Sequence, residues 1–217
     1  MYGVSEDRLG AYSARYQDAR GVEATTIHND GRTLRMVVRG LEFSGSDFDA
    51  LEAPPGLDAA TRASFGLAQG YLTDVVLEWT MPLGVGGGDR LMEACLDARL
   101  SLGSGQELLR LVLRWEGGVA ESRERGWFED ALADLQGQLP EGVSMRCCFA
   151  GAFSDYHPVG HGLFGGLACF RDNKAGYLAV HSKNDLWPVW PTRTEWVQET
   201  FVCPEFQVRV PGTGYRG

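Results

Sequence analysis

The fold is decided by the stretch LDARLSL at residues 96–102, in which apolar and polar side chains alternate without a break. Successive side chains of a β-strand point to opposite faces, so this alternation predicts a strand with one buried and one solvent-facing side. The alternation recurs at residues 33–39, 73–81 and 109–115. Together these segments predict an antiparallel sheet with a negatively charged outer face, and the glycines at 84–88 predict a flexible loop between two strands.

A hairpin and one helix complete the predicted architecture. Residues 23–28 and 33–39 are rich in strand-forming residues, and the NDG string at 29–31 between them is a strong turn signal. At residues 127–139 apolar side chains recur at three- and four-residue spacing, which is typical of a helix. The sequence therefore predicts the α+β class, mainly antiparallel β sheet or sandwich, with one amphipathic helix over about 127–139 packed on it.

The chain is predicted to form a single domain over residues 1–217, because no repeat, low-complexity tract or linker divides it. An acidic, strand-rich part covers residues 1–140, and a part rich in Cys, His and Gly covers residues 141–217. In the second part we expect strands at 143–153, 167–170, 177–181 and 196–210, and an aromatic loop at 187–191.

The chain is acidic, with 29 Asp and Glu against 20 Lys and Arg and a net charge of -9. All of this excess lies before residue 141, since the later residues hold seven side chains of each sign. Such a surface repels nucleic-acid phosphates and anionic lipids and attracts basic proteins. We therefore expect a protein partner with a basic surface, no nucleic acid and no membrane; solubility alone is the other interpretation of the charge.

The predicted location is cytoplasmic. No apolar run approaches the roughly 18 residues that span a bilayer, and residues 1–16 lack the apolar stretch of a secretory signal. The five cysteines are an odd number. Without an export signal they are expected to be reduced thiols.

Soft metal ligands are concentrated in one part of the sequence. Four of the five cysteines and three of the four histidines lie after residue 140. Structural zinc takes four Cys or His ligands in a tetrahedron, often from separate loops. The sequence therefore suggests zinc as a cofactor, bound by Cys148, Cys169, Cys203 and His161. The other interpretation is that these cysteines are small buried apolar residues, because no Cys-x-x-Cys pair is present.

A second candidate site is polar and lies between residues 154 and 172. A histidine beside carboxylates and a hydroxyl is able to transfer protons, and the glycines at 160–166 allow a backbone to approach a ligand closely. The same residues also suit ordinary turns and a surface ion pair. The candidates for a catalytic role are Ser154, Asp155, Tyr156, His157, Arg171 and Asp172.

Several longer strings are distinctive: LEWTMP at 77–82, GWFED at 126–130, AFSDY at 152–156, GHGLFGG at 160–166, QET at 198–200 and GTGYRG at 212–217. In these strings the chain resembles a family of uncharacterised, mostly actinobacterial proteins, a domain of unknown function. The resemblance implies no activity, and it implies that the motif-rich part is the last third of the chain. Members of that family carry a Cys-x-x-Cys pair before AFSDY. Here the second position is Gly151, which leaves a three-cysteine site completed by His161 or water.

The function that these observations favour is a non-enzymatic, acidic protein-binding module, with an immunity or antitoxin-like role as its most concrete form. The acidic excess and the compact size support this hypothesis. The alternative is a metal-binding enzyme or accessory protein that uses the Cys/His region at 141–217.

Overall fold

A computed structural model describes residues 10–30, 33–87, 90–103, 105–164, 166–201 and 203–216 of the chain. The described residues form fourteen strands and four α-helices. The strands are β1 (Gly10–Asp18), β2 (Gly21–Asn29), β3 (Leu34–Val38), β4 (Leu41–Gly45), β5 (Leu67–Ala68), β6 (Tyr71–Leu72), β7 (Val75–Gly87), β8 (Arg90–Gly103), β9 (Gln106–Trp115), β10 (Gly118–Glu121), β11 (Ser144–Met145), β12 (Ser154–Tyr156), β13 (Gly166–Cys169) and β14 (Glu195–Gln198). The helices are α1 (Ala59–Ala63), α2 (Phe128–Gln136), α3 (Lys174–Leu178) and α4 (Lys183–Val189).

The main feature of the fold is a large antiparallel sheet with the order β10-β9-β8-β7-β1-β2-β3-β4, to which β11 adds by pairing with the end of β7. The register places Leu100 of β8 opposite Leu77 of β7 and Leu109 of β9. All three leucines are fully buried, so the apolar positions of neighbouring strands share one face. The predicted sheet and the predicted hairpin, now β2 and β3, are both confirmed. Gly31 of the predicted turn lies outside the described residues.

The flexible loop predicted at residues 84–88 is wrong for the part that is described. Strand β7 continues through Gly87 and pairs with β8 over its whole length. A Cβ atom on Gly86 would lie 2.1 Å from the carbonyl oxygen of Arg90, and one on Gly87 would lie 2.1 Å from that of Gly142. These glycines therefore permit a close approach of neighbouring backbones inside the sheet.

Helix α2 covers the buried face of the sheet, as the sequence predicts. Phe128, Ala131, Leu132 and Leu135 are fully buried, and the helix ends at Gln136, three residues before the predicted end. Aromatic side chains from the loops after β4 and β12 also pack against this face of the sheet. The ring of Phe48 stacks on Trp79 at 4.5 Å, and Phe164 contacts Phe128 edge to face at 4.5 Å. The same hydrophobic core includes Met145, Cys147, Leu163 and Phe164.

The last third of the chain forms a small antiparallel sheet, β12-β13-β14, with two short helices. The strand predicted at 177–181 is wrong, because Tyr177 lies in α3; its spacing to the buried Val180 fits a helical turn. The loop predicted at 187–191 is largely helix α4, which begins after Ser182; the Ser182 hydroxyl accepts the backbone N–H of Asp185 as an N-cap.

The strands predicted at 143–153 and 196–210 form only as the short β11 and β14. Within the described part of the chain, no helix has the length and apolar character needed to cross a bilayer.

Candidate functional site

Three of the catalytic candidates lie side by side on strand β12, and all three are buried. The Ser154 hydroxyl donates to the carbonyl oxygen of Cys148 at 2.6 Å. The Asp155 carboxylate accepts the Tyr177 hydroxyl at 2.8 Å and the backbone N–H of Tyr156 at 2.8 Å. Burial raises the pKa of Asp155 above its usual value, although these contacts and nearby arginines oppose the shift.

Tyr156 connects two ionisable groups. Its hydroxyl donates to Glu199, which has no solvent-exposed surface. The His161 ring stacks on the Tyr156 ring with centroids 4.1 Å apart, and His161 Nε2 is 3.3 Å from Glu129 Oε2. Burial raises the pKa of Glu199 to about 8, whereas the hydrogen bond to Glu129 raises the pKa of His161. Both shifts favour the protonated form, which is the neutral acid for Glu199 and the charged imidazolium for His161.

Asp47 is a further buried carboxyl group close to these residues. It accepts the backbone N–H groups of Phe48 at 2.7 Å and Phe164 at 2.9 Å. Burial, with a smaller effect of the neighbouring Asp49, raises its pKa to about 7. We use the name polar cluster for the group formed by Asp47, Glu129, Asp155, Tyr156, His161, Glu199 and Arg216.

Four members of the polar cluster were not among the residues proposed from sequence. Glu129, Glu199 and Arg216 lie within the strings GWFED, QET and GTGYRG. No comparable string marks Asp47. These carboxylates come from the loop after β4, from α2 and from the segment after β14. Their proximity is a tertiary property that residue spacing does not reveal.

The other catalytic candidates lie outside the polar cluster. His157 contacts Trp190 edge-on at 4.9 Å, and its Nδ1 atom accepts the backbone N–H of Val159 at 3.2 Å. Arg171 forms an ion pair with Glu195. Asp172 donates its backbone N–H to the Thr194 hydroxyl oxygen at 3.2 Å. Each of these contacts holds a loop of the small sheet.

The three cysteines proposed as zinc ligands, Cys148, Cys169 and Cys203, share one small apolar cluster with Tyr156, Leu167 and Val197. Burial raises the pKa of Cys148 and of Cys169, which favours the thiol over the thiolate that binds metal. His161 instead contacts Tyr156 and Glu129. Among the residues described, no group of three or more His, Cys, Asp or Glu side chains is placed so as to hold a metal ion. Zinc binding stays a prediction, and it would require these side chains to move.

On the second face of the large sheet, the outward-pointing side chains of β1, β9 and the central part of β8 are exposed or half-buried, as are those in the first half of β7. Side chains on this face form cross-strand ion pairs: Glu78 with Arg15 at 3.4 Å and with Arg99, and Asp97 with Arg114. The sequence predicts a negatively charged outer face, whereas around these pairs arginines alternate with the carboxylates and the charge is mixed. A hollow of about 740 Å³ opens on this face between side chains that include Ser13, Arg15, Ala24, Glu78, Val112 and Glu121. We call this face of the large sheet the open face.

Comparisons with known proteins identify a family but no characterised relative. Neither the curated proteins nor the solved structures contain a match to this chain. The sequence profile of a family of unknown function, DUF6304, matches residues 10–154. That region includes the large sheet, α2 and the first residue of β12, whereas His161, Glu199 and Arg216 lie beyond it. The actinobacterial distribution suggested by the strings stays an expectation. Since the profile covers most of its length, the chain belongs to the family of unknown function DUF6304.

Proposed function

We propose that the chain is a non-enzymatic protein-binding module whose net charge of -9 attracts a partner with a basic surface, and that the partner contacts the open face through charges of both signs. An immunity or antitoxin-like role is the most concrete form of this function. The observation that carries the proposal is the open face, with its hollow of about 740 Å³ between paired charges. Such a face offers a broad surface to a second protein.

Charge contributes to this recognition in two ways. The net charge of -9 attracts a cationic partner over a distance and raises the association rate. Close to the surface, the alternating pairs around Glu78 and Asp97 fix the register of a partner that presents charges of both signs. Because exposed pairs of this kind stabilise the fold by only about 0–1 kcal/mol, they are able to exchange partners at low cost.

Ala24→Tyr tests the open face directly. Ala24 is exposed on β2 and lines the hollow, and tyrosine is well tolerated in strands, so the variant fills the binding surface and leaves the fold intact. We expect a partner captured from a lysate of the source organism to bind the variant at least about tenfold more weakly than wild type. Affinity measured by surface plasmon resonance at increasing salt gives the readout.

Val159→Tyr is the matched control, since Val159 is exposed in the loop after β12 and does not line the hollow. It should bind the partner as wild type does. Equal binding by both variants, or a partner with an acidic surface and no salt dependence, would rule out this function.

A metal-dependent enzyme or accessory protein is the second candidate. It is favoured by the packing of Cys148, Cys169 and Cys203 in one cluster next to Tyr156. Elemental analysis of the full chain, purified without added metal, separates the two candidates. This role predicts about one zinc or iron per chain, lost in Cys148→Ser, because structural sites hold one ion in a set of thiolates. The protein-binding role alone predicts substoichiometric metal in both proteins.

A further inference from the structure

The guanidinium group of Arg216 lies between two aromatic rings and two carboxylates. Its Cζ atom is 4.8 Å from the centroid of the Tyr156 ring and 5.7 Å from that of the Phe149 ring. Glu129 Oε1 and Asp155 Oδ1 each lie 3.7 Å from one of its nitrogens. Only 14% of the arginine side chain is exposed. We call this enclosure the guanidinium cradle; it consists of Phe149, Tyr156, Glu129, Asp155 and the carbonyl oxygen of Ser154.

The guanidinium cradle matches the flat shape and the charge of the group that it holds, while the Arg216 Nε atom is buried and has no hydrogen-bond partner among the described residues. Aromatic faces attract a flat, delocalised and weakly hydrated cation. The two carboxylates balance its charge, and the Arg216 Nη2 atom donates to the carbonyl oxygens of Phe149 at 3.1 Å and Ser154 at 3.4 Å. A primary ammonium has neither the planar shape nor the forked donors, so the enclosure discriminates between the two cations.

Arg216 lies on a later segment of the chain than the cradle walls, which belong to α2, β12 and the turn at 148–150. This later segment pairs with residues next to that turn through an isolated bridge between Gly151 and Val208, and its described residues form no strand. Gly214 holds this segment by donating its N–H to Leu178 at 3.3 Å. Its φ of +69° and its contact with the Tyr177 ring both require glycine, because a Cβ atom would lie 2.8 Å from that ring. The guanidinium is thus supplied by a residue far along the chain from most of those that enclose it.

We propose that the guanidinium cradle is a binding site for alkylguanidinium groups, which Arg216 fills from within the chain. The proposal does not depend on the protein-binding role of the open face, which lies on the other side of the large sheet from α2. Two sources of the same chemistry are free arginine and an arginine side chain of a peptide. They differ in the charged groups that accompany the guanidinium.

Chemical rescue of Arg216→Ala tests the site. The variant leaves Glu129 and Asp155 without their common cation, so its melting temperature should fall. Addition of N-ethylguanidinium at about 10 mM should restore roughly half of the loss, and ethylammonium at the same ionic strength should restore little. Free arginine and a capped arginine dipeptide, tested in the same assay, distinguish the two sources. Differential scanning fluorimetry gives the readout for all four compounds.

The double variant Arg216→Ala/Glu129→Gln is the control, because it removes one wall carboxylate and should lose most of the rescue. If Arg216→Ala does not fold alone, recovery of folded protein on refolding from urea with each compound replaces the melting temperature. Selective recovery with the guanidinium compounds supports the site. Equal effects of guanidinium and ammonium compounds, or no effect of either, would overturn it.

Discussion

Glu199→Gln is expected to raise the free energy of unfolding near pH 8 by roughly 2–4 kcal/mol and to flatten the pH dependence of stability. Glu199 is fully buried, and burial raises its pKa from 4.5 to about 8. Between these values the folded chain keeps the proton and the unfolded chain releases it. The folded state therefore loses stability as pH rises through this window. Glutamine has no such proton to lose, and its side-chain oxygen still accepts the Tyr156 hydroxyl.

Urea unfolding at a series of pH values between about 5 and 8 measures this effect. Wild type should lose stability across the series, and Glu199→Gln should lose much less. The remaining slope is assigned to Asp47, whose pKa is raised to about 7, and to Asp155 and His161, whose pKa values are also raised. Glu116→Gln is the control, since it removes the same charge from a side chain that is 81% exposed. Parallel curves for wild type and Glu199→Gln would contradict a protonated, buried Glu199.

Asp18→Ala is expected to lower the free energy of unfolding by roughly 2–4 kcal/mol, because it breaks a largely buried ion pair and leaves the Arg39 guanidinium with the longer contact to Glu23, at 3.9 Å. Asp18 accepts both terminal nitrogens of Arg39, at 2.5 and 2.7 Å, and the two side chains are 6% and 18% exposed. The Arg39 guanidinium also lies over the rings of Tyr16, at 5.3 Å, and Phe65, at 5.6 Å. The pair thereby ties the β3–β4 turn to the end of β1.

The contribution of the Asp18–Arg39 pair to stability also depends on pH, and in the opposite direction to that of Glu199. The hydrogen bonds from Arg39 lower the pKa of Asp18 from 3.8 to about 2. Its contribution to stability is therefore present above pH 3.8 and is lost as pH falls through about 2. Guanidinium chloride unfolding at neutral pH gives the main readout, and acid unfolding gives the second.

Glu116→Ala serves as the matched control for Asp18→Ala. It breaks the Arg90–Glu116 pair, whose nitrogen and oxygen are 3.8 Å apart and whose side chains are 72% and 81% exposed. An exposed pair contributes about 0–1 kcal/mol, so this change should be small. Comparable losses in the two variants would show that burial does not distinguish the pairs.

The strands and helix that the sequence predicts correctly are those with a strong local period. In β8 the alternation at 96–102 is uninterrupted, and in α2 the spacing of Phe128, Ala131 and Leu135 is helical. Both patterns depend only on which side chains must face the core. The errors fall where local signals are weak or have two meanings. The glycines of β7 suggested a loop, yet their small size serves close backbone contact at 86 and 87.

The candidate site was predicted only in part. Ser154, Asp155, Tyr156 and His161 were proposed from their residue types, and the structure brings the last three into the polar cluster. His157 and Arg171 are also proposed from their residue types, yet in the structure they hold loops of the small sheet. Residue type and spacing do not distinguish these cases, because the direction of each side chain depends on the strand or turn that carries it.

By itself, the sequence determined the antiparallel sheet, its buried face and helix α2, because apolar residues recur along the chain at the period of a strand or a helix. Only the tertiary structure decided that Glu129, Tyr156, Glu199 and Arg216 meet, since they come from segments far apart along the chain. It also decided the raised pKa of Glu199, because the pKa of a carboxyl group depends on how completely the folded protein removes it from water. The sequence shows that a glutamate is present at position 199, and the fold determines that it is buried.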